Sequence, residues 1–503
     1  MTSSRMVWLS GAMLALLAPA APVEAATTSE ATSHEPASFV YPQRREVEGY
    51  SLLIHAPQIR AWPDFQSFEA EVALELTPPG ASRPLLGTAQ VSGPATLYLP
   101  ERLVLVRSPV VGRVEFADDA TAADTAAVKR AARQGALGVP LDLFLAYLTD
   151  DVLSNPPPAG FNTSPPPIEV RSKPSVLLFV NGRAVPSEIP GTGLELIVNA
   201  SWPTVRDPAG PGAYYLLERD RWLTSRELAG PWSAAKSLPP GFAQLPAGEE
   251  YAAIRSAVPL EPSSRPLPSV LFASTPTELI VTDGPPALET IPETGGLQRV
   301  RNTDSPLFKL QSDWYFLVAG RWFFTRSLER GPWSFAQPLP EAFAKIPEDD
   351  PSAAVRASVP GTVEAKMAAL EASLPTRTQV RKGSAPPVEV TYAGEPDFAA
   401  IPGTQVARGV NTGFDVLRYE SRYYLCYAAA WYVATTPRGP WAATADVPRA
   451  IYEIPPSSPS FAITDVKVEQ SAGDSIEYSS TAAYATGMFV AFGVAYYGTG
   501  WYY

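Results

Sequence analysis

The sequence predicts a mainly β protein, in which an α+β N-terminal domain precedes three related antiparallel β-units of about 85–105 residues. Proline supplies the first observation, because it makes up 55 of the 503 residues, about 11% against a usual value near 5%. This content disfavours long helices and favours strands joined by rigid turns. The second observation is the tripeptide Gly-Pro-Trp, which occurs three times, at residues 230–232, 331–333 and 439–441.

A longer pattern surrounds each Gly-Pro-Trp tripeptide. Two aromatic-rich runs precede it, separated by Arg219-Asp220, Ala319-Gly320 or Ala428-Ala429. This spacing of about two residues is typical of a tight hairpin, although Arg-Asp and Ala-Ala suit a type I′ turn poorly and keep a slightly longer loop open. Upstream, each copy has an Ile-Pro-x-Thr motif and then an asparagine; the motifs begin at Ile189, Ile291 and Ile401, and the asparagines are Asn199, Asn302 and Asn411.

The N-terminus has the layout of a secretory signal peptide. Arg5 precedes the apolar run Met6–Ala18, and Val23 and Ala25 occupy the small-residue positions before a cleavage site. The run is shorter than the roughly 20 residues that span a bilayer. We therefore expect removal of residues 1–25, which leaves a disordered N-terminus at 26–39 in an exported protein. Its expected location is periplasmic or extracellular, with cell-surface association as a further option.

Residues 40–155 differ from the repeats and predict the α+β domain. Acidic residues come early and basic residues late in 118–133, which suits a helix and its dipole. A second helix is expected from Val139, with Pro140 in its first turn. The other predicted boundaries are a Pro-rich linker at 156–167, β-repeats at 168–260, 267–361 and 386–460, a helical linker at 362–385, and an apolar Gly/Tyr-rich segment at 461–503.

The C-terminal end is unusually apolar. Ala482–Tyr503 carries no charged residue over 22 residues, yet its glycines and tyrosines favour β structure over a membrane helix. We expect a strand or tail packed on the third repeat. Self-association and an outer-membrane strand are the alternatives, but one strand cannot close a barrel, so membrane insertion is not favoured.

Residues that carry chemistry are few. The formal net charge of −12 disfavours binding to nucleic acid. The chain has two histidines and one cysteine without the spacing of a standard zinc site, and it has no phosphate-binding glycine loop. We therefore expect no metal and no cofactor, and we expect Cys426 to be an inert buried thiol. A pair of carboxylates remains the one catalytic option.

The recurring aromatic residues are candidates for both the core and a ligand site. A fold needs its core in every copy, so the tryptophans that recur in all repeats are assigned to the structural core: Trp222, Trp232, Trp322, Trp333, Trp431 and Trp441. Hairpin aromatics that vary between repeats are better candidates for stacking on a sugar, because alternation along a strand exposes one member of each adjacent pair. These candidates are Tyr214, Tyr215, Trp314, Tyr315, Tyr423 and Tyr424.

Over nearly its whole length the chain resembles a group of uncharacterised secreted proteobacterial proteins. The resemblance is carried by the VPLDL helix at 139–143, the tandem YYL/RWF/GPW repeats, the ASVPGT connector at 357–362 and the YGTG-aromatic C-terminus at 497–503. Some members are automatically labelled carbohydrate-binding family V/XII. The resemblance implies export and, through that label, binding to a sugar.

Three functions remain open, in order of preference. The first is a secreted or envelope non-catalytic interaction or assembly protein, for which the expected partner is a glycan or another envelope component. The alternative is a carbohydrate-binding protein for cell-wall or environmental glycan. The second alternative is a carboxylate-based glycoside hydrolase, since that reaction needs only two suitably placed acids.

Overall fold

The computed structural model describes residues 40–62, 65–98, 101–147, 161–209, 213–261 and 263–501. The predicted signal peptide, the predicted disordered N-terminus and part of the Pro-rich linker lie outside these ranges. Strands far outnumber helices in the described ranges, which confirms the predicted mainly β class. The chain divides into an N-terminal domain within Pro22–Asn155 and a repeat domain within Pro156–Tyr503.

The N-terminal domain is built on an antiparallel sheet of eight strands. The order across the sheet is first, second, fourth, fifth, sixth and eighth strand, with the third beside the fourth and the seventh beside the fifth. In the fourth strand every second side chain from Phe68 to Leu76 is buried, as the alternation of a pleated strand requires. The strands are β1 (Gln43–Val47), β2 (Tyr50–Ile54), β3 (Gln58–Ala61), β4 (Ser67–Thr77), β5 (Leu85–Tyr98), β6 (Leu103–Val106), β7 (Val110–Phe116) and β8 (Leu137–Pro140).

In the described part of this domain, two helices accompany the sheet, Ala122–Ala132 and Leu141–Tyr147. The first begins after Thr121, whose hydroxyl accepts a hydrogen bond from the N–H of Asp124. The carboxylate of Asp124 accepts one in return from the N–H of Thr121, at 2.8 Å. This capping box satisfies amide groups that the first turn of a helix leaves unbonded, and it explains why the helix starts here.

Three six-stranded antiparallel sheets form β-units 1, 2 and 3 of the repeat domain, and in each sheet the strands are neighbours in chain order. In β-unit 1 and again in β-unit 2, two further strands precede the six-stranded sheet. The strands of β-unit 1 are β9 (Ile168–Arg171), β10 (Ser175–Phe179), β11 (Pro186–Ile189), β12 (Leu194–Ile197), β13 (Thr204–Arg206), β14 (Tyr214–Glu218), β15 (Arg221–Ser225) and β16 (Ser233–Ala234). Those of β-unit 2 are β17 (Ser269–Ala273), β18 (Glu278–Val281), β19 (Leu288–Thr290), β20 (Gln298–Val300), β21 (Leu307–Leu310), β22 (Asp313–Val318), β23 (Arg321–Thr325) and β24 (Ser334–Phe335).

β-unit 3 is followed by additional elements. Its strands and the later ones are β25 (Thr376–Arg381), β26 (Phe398–Ala400), β27 (Val406–Gly409), β28 (Asp415–Tyr419), β29 (Arg422–Tyr427), β30 (Ala430–Ala434), β31 (Ala442–Ala443), β32 (Lys467–Ala472), β33 (Ser475–Ser480), β34 (Met488–Ala491) and β35 (Val494–Tyr497). Within the described residues of the repeat domain, the α-helices are Ala252–Ser256, Val363–Ser373, Arg449–Tyr452 and Ala482–Thr486. Short 3-10 helices span Pro240–Gln244, Glu249–Tyr251, Glu341–Phe343, Ala353–Ser358 and Phe461–Asp465. Among the described residues, no helix has both the length and the apolar character needed to cross a bilayer.

The central hairpin of every β-unit closes with only two connecting residues. In β-unit 3 these are Ala428 and Ala429, and both lie in the left-handed region with φ of 49° and 55°. In β-unit 2, Ala319 and Gly320 have φ of 48° and 82°. A two-residue turn of this kind matches the right-handed twist of the paired strands. The longer loop that the sequence left open is therefore not formed, because the strand pairing outweighs the cost of left-handed alanine.

A tryptophan on the second hairpin strand occupies the centre of each β-unit. Trp222, Trp322 and Trp431 are at most 3% exposed. Each indole N–H donates to a backbone carbonyl at 2.8–3.0 Å; the acceptors are Ala257, Ser358 and Val466. A buried indole needs such an acceptor, and here the acceptor lies beyond the Gly-Pro-Trp turn. The ring therefore joins the hairpin to the last part of its own unit.

The Gly-Pro-Trp tripeptides form a recurring turn at the edge of each sheet. The glycines have φ of 92°, 60° and 96°, and the Gly-Pro peptide bond is cis in all three turns. The tryptophan ring folds back over the glycine: a Cβ on Gly439 would come within 2.8 Å of the Trp441 ring. Glycine is thus required by both conformation and space. Trp232 and Trp333 are half-buried, while Trp441 is buried.

Each recurring asparagine clamps one loop of its β-unit. The side chain of Asn302 accepts a hydrogen bond from the N–H of Ala287 and donates to the carbonyls of Asp283 and Pro285, at 2.7–2.9 Å. Asn199 and Asn411 make the same three bonds in their own units. These residues, noticed in the sequence only as a pattern, therefore have a structural role in closing the loop.

β-units 1 and 2 are joined by parallel strand pairs. β9 pairs with β18, and β10 pairs with β17. The arrangement is reciprocal, because the N–H of Val180 donates to Ala273 while the equivalent N–H of Thr282 donates to Arg171, both at 2.9 Å. These strands also cover the outer face of the sheets: Leu178 and Val180 pack on two buried leucines of the β-unit 1 hairpin, Leu216 and Leu223.

The C-terminal segment divides between two β-units, which corrects the expectation that it packs on the third repeat alone. β33 pairs with β25 and β32, and Ile476 and Tyr478 enter the core of β-unit 3. The hairpin of β34 and β35 instead lies on the helix Val363–Ser373 and on β-unit 2, where the N–H of Tyr497 donates to the carbonyl of Ala319 at 2.9 Å. The predicted helical linker at 362–385 correspondingly contains this helix followed by a strand.

We expect the hairpin tryptophans to stabilise the fold more than those of the turns. Trp322→Ala removes a buried ring and its hydrogen bond, and should cost about 3–5 kcal/mol. Trp333→Ala, at a half-buried ring of the same unit, should cost about 1–2 kcal/mol. Urea unfolding followed by circular dichroism measures both. Equal losses for the two variants would contradict the central role of the hairpin tryptophan.

Candidate functional site

The inner members of the predicted stacking pairs belong to the cores. The ring of Tyr215 lies 5.6 Å from that of Phe242, and the ring of Tyr315 lies 5.2 Å from that of Phe343. Tyr424 is only 4% exposed, within the core of β-unit 3. Tyr315 and Tyr424 are therefore buried, and Tyr215 is half-buried against the core of β-unit 1.

The outer members, Tyr214, Trp314 and Tyr423, are half-buried. The ammonium group of Lys309 lies 5.0 Å from the Trp314 ring, and the ring of Phe398 lies 5.4 Å from that of Tyr423. The sequence predicted that one aromatic ring of each pair is exposed, but all six rings are buried or half-buried. The reason is that other side chains cover both faces of these hairpins, which a single strand pattern does not reveal.

Exposed aromatic rings occur at another place in the chain. Among the described residues, the large aromatic side chains that are most exposed are Phe492, Tyr497 and Trp501, at 38%, 46% and 46%. All three belong to the C-terminal hairpin or to the residues just after it, and we call them the aromatic end. Sequence reasoning noted the apolar character of this segment but placed the ligand candidates in the repeats.

A buried arginine of β-unit 2 anchors the aromatic end. Arg321 is fully buried, and its guanidinium donates to the carbonyls of Tyr497 and Gly498, both at 2.7 Å. The same guanidinium lies 4.5 Å from the ring of Phe161 and 5.2 Å from that of Tyr496. Carbonyl oxygens and ring faces both stabilise a desolvated cation, so this one side chain connects three separate parts of the sequence.

The chain before β-unit 1 completes the anchor. The N–H of Asn162 donates to the carbonyl of Thr499, and its side-chain amide donates to Gly500, both at 3.0 Å. A Cβ on Gly500 would lie 1.9 Å from the carbonyl oxygen of Asn162, so only glycine fits. The hydroxyl of Thr499 donates to Pro456 at 2.6 Å. Residues 497–500, the YGTG sequence, are thus held by hydrogen bonds on several sides.

Two buried carboxylates of the repeat domain are paired with arginines. The carboxylate of Glu218 accepts a hydrogen bond from Arg221 at 2.7 Å, and that of Asp350 pairs with Arg299 at 2.6 Å, which gives both structural roles. Burial raises the pKa of the Glu278 carboxyl to about 7, with no second carboxylate contributing. The described ranges contain no group of three His, Cys, Asp or Glu residues that could hold a metal ion.

Comparison of the chain with protein-family models, with curated proteins and with solved structures returned no match.

Arg321→Ala should release the aromatic end, because it leaves the carbonyls of Tyr497 and Gly498 without their donor. We expect amide hydrogen exchange in residues 488–501 to accelerate at least about tenfold. Arg221→Ala, at the equivalent position of β-unit 1, is the matched control and should leave that segment protected. An unchanged exchange rate in Arg321→Ala would show that Arg321 does not hold the segment.

Glu278 should make stability depend on pH. Its pKa is higher in the folded chain than its ordinary value of 4.5, so its contribution to folding is fully present below pH 4.5 and is lost as the pH rises through 7. Glu278→Gln removes the buried charge and should therefore stabilise the protein at pH 8, by roughly 1–3 kcal/mol, and change little at pH 4. Urea unfolding at both pH values measures this, with exposed Glu188→Gln as control. Equal effects at the two pH values would contradict the assignment.

Proposed function

We propose that this protein is an exported, non-catalytic interaction or assembly protein of the bacterial envelope or its surroundings. The observation that carries the proposal is the placement of aromatic surface: the rings of the three β-units lie in cores or under other side chains, while exposed rings are concentrated at the aromatic end. Exposed apolar surface on a well-packed scaffold is typical of an interaction site. Export is proposed from the signal-peptide pattern at residues 1–25.

Binding to a glycan is the second candidate, because the exposed rings of Tyr497 and Trp501 favour it. Flat aromatic faces stack on sugar rings through dispersion, and tyrosine and tryptophan also supply a polar group. In this version of the proposal the aromatic end replaces the repeat hairpins as the contact surface. It also agrees with the carbohydrate-binding label of the proteins that the chain resembles.

A carboxylate-based glycoside hydrolase is the weakest candidate. That reaction requires two carboxyl groups about 5 to 9.5 Å apart, one of them held protonated by its surroundings. Glu278 has a raised pKa from burial alone, and Glu218 and Asp350 are each engaged by an arginine. Burial also raises the pKa of the Asp415 carboxyl to about 6, again with no second carboxylate contributing, so neither raised pKa supports a pair of acting carboxyl groups.

Cosedimentation tests the proposal. The protein without residues 1–25 is mixed separately with intact envelope fractions, peptidoglycan sacculi, chitin and cellulose. We expect retention on envelope fractions that falls at least about tenfold in the Tyr497→Ala/Trp501→Ala double variant, since stacked aromatic rings dominate such contacts. Val198→Ala changes an apolar residue that is 48% exposed, and this control should retain binding.

The outcomes separate the three candidates. Retention on a purified polysaccharide, lost in the double variant, supports the glycan-binding candidate over a protein partner. Release of new reducing ends from any of the glycans would overturn the non-catalytic proposal. Equal retention of the wild type and the double variant would show that the aromatic end is not the contact surface.

A further inference from the structure

β-units 1 and 2 show how one segment of the repeat recognises its counterpart. The segment is the strand that runs into the loop clamped by the recurring asparagine, namely β10 in β-unit 1 and β18 in β-unit 2. β10 pairs with β17, which ends just before the serine-x-proline sequence that begins at Ser274 of β-unit 2. β18 pairs with β9, which ends just before the same sequence at Ser172 of β-unit 1. The N–H groups of Gly182 and Gly284 extend the ladders by donating to those serines, at 3.2 Å. The contact is reciprocal, as in a two-fold interface.

The equivalent segment of β-unit 3 is 388–392. It precedes the same asparagine-clamped loop, because Asn411 donates to the carbonyl of Ala393 just as Asn302 donates to Asp283. Val390 is 3% exposed, which matches Leu178 and Ile280 at 0%. The segment is therefore in the same place on its sheet as β10 and β18 are on theirs.

One edge of this segment lacks a strand partner. On its inner edge, the carbonyl of Thr391 accepts a hydrogen bond from the Thr412 hydroxyl at 2.7 Å. On the other edge, the N–H and C=O groups of Val388, Val390 and Tyr392 have no hydrogen-bond partner within the described part of the chain. That is the edge through which β-units 1 and 2 pair with each other.

In β-unit 3 the strand that corresponds to β9 and β17 is β25, which precedes the serine-x-proline sequence at Ser384. This strand is not available to pair with segment 388–392. β25 is already paired with β33. The residues after it are bonded to β31, because Gly383 donates to Ala443 at 3.0 Å and Ala443 donates back to Ser384 at 2.8 Å. β-units 1 and 2 use this edge to pair with each other. Within the described residues, the same edge of β-unit 3 has no strand partner.

We propose that a second copy of this chain occupies that edge, so that segment 388–392 pairs with itself across a two-fold axis. The inference deepens the interaction and assembly function proposed above. A two-fold axis makes the two identical strands antiparallel, and the register that uses the unbonded groups places Val390 opposite its own copy and Val388 opposite Tyr392. Each of these positions offers both an N–H and a C=O, which is the pattern of hydrogen-bonded antiparallel pairs.

Charge and edge composition agree with this register. The exposed residues Glu389 and Thr391 face each other across the axis, so no like charges meet. The exposed edge of β32 differs, since it carries Lys467 and Glu469 and its ladder is broken between Val468 and Gln470. Charges and a bulge are the usual protection of an edge strand against pairing, and segment 388–392 has a single charge and no bulge.

Thr391 provides a test that leaves the core untouched. In the dimer, residue 391 of each copy faces Glu389 of the other copy, which gives two such pairs. Thr391→Glu makes both pairs repulsive, while Thr391→Lys makes both pairs attractive. Cross-strand charge pairs of this kind should raise the dimer dissociation constant roughly 2- to 30-fold for glutamate and lower it for lysine. Sedimentation equilibrium of the full mature chain, from roughly 10 to 500 µM, covers the range expected for a small interface.

Ser471→Glu and Ser471→Lys are the matched controls, because Ser471 is an exposed residue of β32 and these variants change net charge equally. They should shift association less than the Thr391 variants. A monomer over the whole concentration range would overturn the proposal, and so would a dimer that responds equally at both positions. A second readout is amide exchange of residues 388–392, which should slow with concentration in wild type. The proposed function is tested by cosedimentation, which depends on the aromatic end, whereas the dimer is tested by sedimentation equilibrium, which depends on segment 388–392. Failure of one proposal is therefore distinguishable from failure of the other.

Discussion

One hydrogen-bonded indole ring closes each β-unit. The tryptophan of the second hairpin strand donates its N–H to a carbonyl that lies 35 or 36 residues later in the chain. That interval includes the Gly-Pro-Trp turn and the short helical segments after it, so the ring joins the central hairpin to the last part of the unit. A buried carbonyl deprived of this donor would be left unpaired, which is costly in a core. The other recurring features, including the asparagine clamp, build on a unit closed in this way.

The residue immediately before that tryptophan makes different contacts in each of the three β-units. Arg221 of β-unit 1 pairs with Glu218 inside its own unit. Arg321 of β-unit 2 binds carbonyls of the C-terminal segment. β-unit 3 has Ala430 at this position, and that residue is buried among the aromatic rings of its core. The same strand position therefore serves an ion pair, an anchor and simple packing.

Strand pairing joins β-units 1 and 2, and hydrogen bonds attach the C-terminal hairpin and the residues after it to β-unit 2. The aromatic stacking candidates of the repeats are buried or half-buried. The aromatic end is different, because backbone hydrogen bonds to Arg321 and Asn162 hold it in place while its side chains remain exposed. A segment whose backbone is already fixed loses less conformational entropy on binding than a mobile one, which is why the proposed function depends on this end.

The sequence by itself determined the mainly β class, the recurrence of the units and the hairpin at the centre of each, because these depend on local spacing: Gly-Pro-Trp, two connecting residues and aromatic runs recur at fixed intervals. It did not reveal which aromatics are exposed, since Lys309 and Phe398, which lie against Trp314 and Tyr423, belong to other strands. Nor did it show that Arg321 would meet Tyr497, or that β9 would pair with β18. Such contacts join residues more than one hundred positions apart, and only the packed chain decides them, because local pattern specifies a strand but not its partner.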